Sequence, residues 1–208
     1  YPINRSGEPV AGVRATTSLE EIADPIDLCV ICLPGDRVIG AAEEALRTGT
    51  RALCVISAGF AETGPEGVER QEQLLALVRA HGARLVGPNC LGIATAAVGL
   101  NATFAPRAFP AGRIGFSSQS GALGLALLER AEARGLGLSA FVSIGNKADV
   151  SSNGLLEWWE DDPGTDLVLL YLESFGNPRK FARTARRLAR AKPVLAMKSG
   201  RSRAGQKA

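Results

Sequence analysis

Histidine is nearly absent from these 208 residues: His81 stands alone, beside one methionine, two tryptophans and two tyrosines. With one histidine and no second C-x-x-C pair, a zinc centre lacks its ligands, so no metal site is expected. No apolar run approaches the ~18 residues that span a bilayer. The residues from Tyr1 onward carry neither the charged start nor the apolar stretch of a secretory leader. No membrane association and a cytoplasmic location are therefore expected. A G-x-G-x-x-G phosphate turn is also missing. Open α/β sheets usually carry that turn after their first central strand. With "YPIN" reading as the exit of a strand, the expectation is that one strand–helix unit precedes Tyr1.

Charge and cysteine exclude more. The net charge is +3, too small to argue for nucleic acid. Arg179, Arg183, Arg186 and Arg190 share one helical face, with Lys180 and Arg187 near it. Phe181, Ala185 and Leu188 form an apolar stripe opposite, so the basic side reads as solvated. Cys29, Cys32, Cys54 and Cys90 sit mostly in apolar strand-like runs, which favours free buried thiols in a reducing compartment. Cys29 and Cys32 have C-x-x-C spacing, yet within a strand they point to opposite faces.

What is present is an alternation. "DLCVICL", "TRALCVIS" and "ARLVGPN" read as strands, and "DRVIGAAEEALRTG" and "PEGVERQEQLLALVRAHG" as the helices between them. Pro65 and Gly82 bracket the second helix, as helix ends prefer. His81 closes that helix, where a cation suits the dipole. Ser18 and Glu21 form a capping box for a short helix, "LEEIA". A loop from Ala102 to Ala111 follows. Then "RIGFSS", "LSAFVSIG", "DLVLLYLES" and "KPVLAMK" alternate with three helical segments. Continuous apolar strands between helices predict parallel sheets with helices on both faces. The tail from Ser199 reads as loop. We read an α/β protein of two domains, 1–110 and 111–208, joined near Phe109 to Gly112.

Two catalytic motifs fail on their residues. Ser120 follows a strand and opens a helix, as a nucleophile elbow does, but Ser118 and Ala122 replace the glycines, and His81 precedes the serine. "GRSRAGQKA" spaces Gly200 and Gly205 as a P-loop would, but Gln206 intrudes and Ala208 replaces the Mg²⁺-binding hydroxyl. Four small-residue turns after strands remain: "ISAGF", "VGPNCLG", "SSQSGAL" and "SIGNKADVSS". In parallel sheets such turns gather along one edge, where phosphate-rich ligands bind.

These motifs, with "YPIN", "LLYLES" and "KPVLAMKSGRSRAG", occur in the same order in a known family. The chain resembles the alpha region of the nucleoside-diphosphate-forming acyl-CoA synthetases, the ADP-forming acetate–CoA ligase type, with succinyl-CoA synthetase alpha more distant. The resemblance implies an incomplete Rossmann-like CoA-binding domain and a flavodoxin-like domain. It places Pro34, Ser57, Gly59 and Asn89 at coenzyme A, with Cys90 beside the pantetheine thiol. It implies that Ser118, Ser120 and Gly121 receive a phosphohistidine loop, and that Glu173 in "YLES" orients its histidine. The anion at "SSQSGAL" is then phosphate. That histidine loop would follow Ala208, so a fragment of a longer protein is expected. An ATP-grasp part, in the same polypeptide or in trans, would hold ADP or ATP and Mg²⁺, and a homo- or hetero-oligomer is expected. An alternative is a degenerate, CoA-sensing region fused to an N-acetyltransferase domain, and a third is an unrelated nucleotide-binding module.

Overall fold

A computed structural model describes residues 1–106 and 108–199. Leu28–Ile31 (β1), Ala52–Val55 (β2) and Arg84–Val86 (β3) form a parallel sheet in chain order. Val38–Arg47 (α1) joins β1 to β2, and Pro65–Ala80 (α2) joins β2 to β3. Val38, Ala42 and Leu46 of α1 share one core with Leu74 and Val78 of α2, against Leu53, Val55 and Leu85. Both helices therefore cover the same face, not the two faces expected. Strands taken in order by right-handed crossovers leave each helix on one side. "LEEIA" contributes a single 3-10 turn, Leu19–Glu21, with its capping box formed. It stops there, with Ile22 already extended at φ −93° and ψ 114°. "YPIN" makes an isolated parallel bridge, Ile3 to Thr16.

The second sheet has six strands: Gly92–Thr95 (β4), Leu100–Thr103 (β5), Ala111–Ser118 (β6), Leu138–Ser143 (β7), Leu167–Leu172 (β8) and Val194–Lys198 (β9). Their order is β5-β4-β7-β6-β8-β9. β6 to β9 are parallel, but β4 runs antiparallel to both β5 and β7. The sheet is thus mixed. The β4–β5 hairpin falls partly in the stretch read as loop, and its short strands carry no long apolar run. Residues 92–103 also lie before the division at 110, yet they hydrogen-bond into the second sheet. Pairing with β7 covers an edge that would otherwise be open.

Gly121–Glu132 (α3) follows β6, Ser152–Asp161 (α4) follows β7, and Pro178–Leu188 (α5) follows β8. α3 packs Leu128 against Phe116, Phe141 and Tyr171 on one face. α4 and α5 pack Leu156, Trp159 and Leu188 against Val142, Val168 and Leu170 on the other. The chain moves one way from β6 to β7 and the opposite way afterwards, so the right-handed rule sends α3 and α4 to opposite faces.

The two sheets are tied through residues 145–150. The N–H groups of Asn146, Ala148 and Val150 donate to the carbonyls of Pro88, Gly87 and Leu85 at 2.9, 3.1 and 3.0 Å. Asp149 accepts from Arg84 Nε at 2.7 Å and from the Leu85 N–H at 3.1 Å. Gly145 lies so close to this edge that a Cβ would stand 2.3 Å from the carbonyl oxygens of Pro88 and Asn89.

All four cysteines are unpaired; Cys54 and Cys90 are buried, Cys29 is half-buried, but Cys32 is exposed. It falls one residue beyond β1, where the chain has already left the sheet. On the basic helix, Lys180 pairs with Glu157 at 3.0 Å and Arg187 with Glu160 at 2.5 Å, both within the domain. Among the described residues, no helix is long and apolar enough to cross a membrane, and no cluster of three acidic, histidine or cysteine side chains could hold a metal. The "GRSRAGQKA" segment lies outside the described residues.

Candidate functional site

In an open parallel sheet, ligands bind beyond the strand C-termini where neighbouring connections diverge. Here that place lies between β6 and β8, whose following helices pass to opposite faces. Ser117 and Ser118 end β6 fully buried. Ser118 Oγ donates to the Ser120 carbonyl at 2.6 Å, which fixes the turn. Ser120 then caps α3, its Oγ accepting from the Leu123 N–H at 3.4 Å. Gln119 joins the two strand ends: its N–H donates to the Tyr171 carbonyl at 3.1 Å, and its Oε1 accepts from the N–H groups of Glu173 and Ser174.

A cleft of about 860 Å³ opens over this point, and its wall is shared between the domains. The second domain contributes Gln119, Ser120, Gly121, Lys147, Glu173 and Ser174. The first contributes Ser57, Glu62, Asn89 and Cys90. The junction is held by Asn146, whose Nδ2 donates to Glu62 Oε2 at 2.5 Å and to Gln71 Oε1 at 2.9 Å. Asn89 Nδ2 donates to Asn146 Oδ1 at 3.3 Å, and the Asn89 N–H to the Ser57 carbonyl at 2.9 Å. Asn89 and Lys147 adopt left-handed backbone, φ 56° and 50°, where each turn reverses.

Residues 1–96 match the family model described as a CoA binding domain, and residues 111–208 match the succinyl-CoA ligase like flavodoxin domain. The chain is 41% identical over 208 residues to acetate–CoA ligase [ADP-forming] I of Archaeoglobus fulgidus, covering 100% of this chain and 30% of that protein. It is 38% identical over 212 residues to acetate–CoA ligase [ADP-forming] I subunit alpha of Pyrococcus furiosus, covering 100% of this chain and 46% of that subunit. The apo form of a dinucleotide forming acetyl-coenzyme A synthetase 1 from Ca. Korarchaeum cryptofilum superposes with a TM-score of 0.94 at 36% identity, covering 100% of this chain and 45% of that one. The chain belongs to the alpha region of the ADP-forming acyl-CoA synthetases. It spans less than half the length of these three relatives. All three carry ligase or synthetase names.

Within this synthetase alpha region, six of the nine residues singled out from the sequence line one cleft: Ser57, Asn89, Cys90, Ser120, Gly121 and Glu173. Ser118 lies buried beneath it and positions Ser120. Pro34 and Gly59 sit outside the lining, on the adjacent rim where the β1 and β2 turns approach. A Cβ on Gly35 would stand 2.8 Å from the Ala58 carbonyl. Gly59 itself, at φ 100°, donates its N–H to Glu62 Oε1 at 2.5 Å and receives Arg70 on its carbonyl. His81 is exposed at the end of α2, does not line the cleft, and has Nδ1 2.9 Å from the Leu77 carbonyl.

Three functional candidates were not singled out: Gln119, Asn146 and Lys147. The motifs "SSQSGAL" and "SIGNKADVSS" contain them, but only the folded chain shows which members face the cleft. Lys147 Nζ donates to the Ser174 carbonyl at 2.9 Å and also to its hydroxyl. Burial lowers the lysine's pKa; the Glu173 carboxylate opposes this and Lys198 adds to it, leaving the ammonium below its ordinary range. At Glu62, burial disfavours the charge, but hydrogen bonds from Asn146 and from backbone N–H groups outweigh it. The carboxyl is held below the usual range.

The residues present fit coenzyme A. The cleft has the volume of a cofactor site. Its first-domain wall offers the neutral amide of Asn89 and the Ser57 hydroxyl, with the soft sulfur of Cys90 beside them.

Proposed function

We propose that this chain is the CoA-handling part of an ADP-forming synthetase, which interconverts acyl-CoA, phosphate and ADP with carboxylate, CoA and ATP through a phosphohistidine. The observation that carries this reading is the shared cleft: one volume is bounded by Ser57, Asn89 and Cys90 on one side and by Ser120, Gly121 and Glu173 on the other. Bound CoA supplies the thiol that carries the acyl group. Asn89 and Ser57 hold the ligand. Ser120 and Gly121 open a twelve-residue helix toward the cleft, and the positive end of its dipole stabilises the phosphate. Glu173 accepts an imidazole N–H, fixing the tautomer so that the other nitrogen stays nucleophilic. Lys147 keeps positive charge beside Glu173. The histidine, and the ATP-grasp part that holds Mg²⁺ and ADP, come from outside these 208 residues, in the same polypeptide or in an oligomer. The four unpaired thiols suit a reducing cytoplasm.

The test is Glu173→Gln in the intact protein. Phosphohistidine formation from ATP should fall by about 100-fold, the scale of one lost acid–base or orienting group, while CoA binding by calorimetry stays unchanged. Undiminished phosphorylation would remove Glu173 from this role.

A further inference from the structure

The first-domain wall of the cleft contains a thiol pair that the synthetase reaction leaves unused. Side chains alternate along a strand, so Cys54 in β2 faces away from Leu53 and Val55 and from the helices that cover them. It is fully buried. Cys90 lies just beyond β3, and its Sγ stands 4.0 Å from Cys54 Sγ. Cys90 is only 4% exposed, but it lines the cleft. Its Sγ also donates to the Val55 carbonyl at 3.3 Å. One thiol thus touches the ligand space and the second waits directly behind it. The third nearby thiol, Cys32, is exposed and outside the cleft lining.

We propose that Cys90 and Cys54 form a redox-active dithiol whose substrate is the disulfide of CoA. The proposal rests on the reading that the cleft receives CoA. Cys90 attacks one sulfur of the ligand disulfide. A Cys90–CoA mixed disulfide forms, the ligand S–S bond breaks, and one CoA leaves as a thiol with the Cys90 proton. Cys54 then attacks the Cys90 sulfur. The Cys54–Cys90 bond forms, the mixed disulfide breaks, and the second CoA leaves with the Cys54 proton. The protein pair loses two electrons and the ligand gains them, so no further oxidant is needed.

The order follows from position and from acidity. Cys90 alone reaches the cleft, and its hydrogen bond with Cys54 outweighs its burial and holds its thiol below the ordinary range. The same hydrogen bond, with burial, pushes Cys54 up. The more acidic thiol is the better first attacker near neutral pH. The sulfurs must close from 4.0 Å to about 2.05 Å. The oxidised pair would remove the thiol beside the pantetheine end until a reductant restores it.

The experiment treats the intact protein anaerobically with CoA disulfide and measures released CoA thiol, protein mass and cross-linked peptides. A Cys32→Ser background removes the exposed competitor. The expected result is two equivalents of CoA released and a Cys54–Cys90 linked peptide. In Cys54→Ser, release should halve, and the protein should retain one CoA on Cys90. Reduced CoA is titrated by calorimetry into the same protein. Binding of reduced CoA without any cross-link overturns the thiol-pair proposal alone. No binding of reduced CoA overturns the CoA reading of the cleft, and the exchange step with it.

Discussion

The two walls of the cleft are built by different means. The first-domain wall is shaped by backbone: Asn89 holds positive φ, and on the rim beside it Gly59 does too, while Gly35 leaves no room for a Cβ beside Ala58. The second-domain wall is shaped by side-chain hydrogen bonds: Ser118 fixes the turn, Ser120 caps the helix, and Gln119 ties β6 to β8. A long flexible ligand is suited by a curved backbone surface. A small, highly charged group needs a single fixed point, which a capped helix end provides. The difference between the walls therefore matches the difference between the two ligands proposed for them.

The largest expected effect comes from separating the walls. Gly145→Ala would place a methyl 2.3 Å from two carbonyl oxygens, and neither backbone can yield without breaking the 145–150 tie. A loss of about 3 kcal/mol or more is expected, in the range of severe overpacking. Denaturant titration should show the two domains losing their common transition; a shift under about 1 kcal/mol would mean that the junction adjusts.

Next come the first-domain rim and the second-domain wall. Gly59→Ala should destabilise by roughly 1–2 kcal/mol because alanine is strained at φ 100°. A Cβ there would lie 3.6 Å from Gly35 Cα, an ordinary contact. The cost is therefore backbone strain, and not the crowding that a glycine in this turn first suggests. Ser120→Ala should lower stability by about 1 kcal/mol or less, since its capping bond is long, yet weaken phosphate binding more. Equal losses of phosphate affinity in both variants would erase the proposed division of labour.

The smallest effect is a pH dependence at the junction. The folded carboxyl of Glu62 is held below its unfolded value. Its contribution is therefore complete above the ordinary carboxylate range and is lost as pH falls through the depressed folded value. Because Glu62 is exposed, solvent screening limits the change to less than about 1 kcal/mol. The difference in stability between wild type and Glu62→Gln, followed from neutral to acid pH, should shrink toward zero; a constant difference would mean that the side chain acts without its charge.

Much of this was legible in the residues. The apolar runs from Asp27, Thr50, Arg113, Asp166 and Lys192 became strands because continuous apolar segments between helices have few other ways to be buried. The order of the motifs pointed to the family, and six of the singled-out residues share one cleft. The β4–β5 hairpin was not legible, since Gly92–Thr95 and Leu100–Thr103 bury little that their own composition announces. They become strands because β7 offers an unpaired edge. Nor could the sequence distinguish Lys147 and Asn146 from their neighbours in "SIGNKADVSS".

Periodicity and turn chemistry are local, so the sequence by itself determined where the chain extends, coils and turns. It also determined, through ordered motifs, what family of ligand the turns suit. Tertiary structure alone decided which turns meet. The direction of each crossover set the faces taken by α3 and α4, opening the crevice between β6 and β8. Hydrogen bonding along residues 146–150 then brought the first domain's turns to the same space. Contacts between residues this far apart in the chain depend on how two sheets pack, and no local pattern encodes the distance between Cys54 and Cys90.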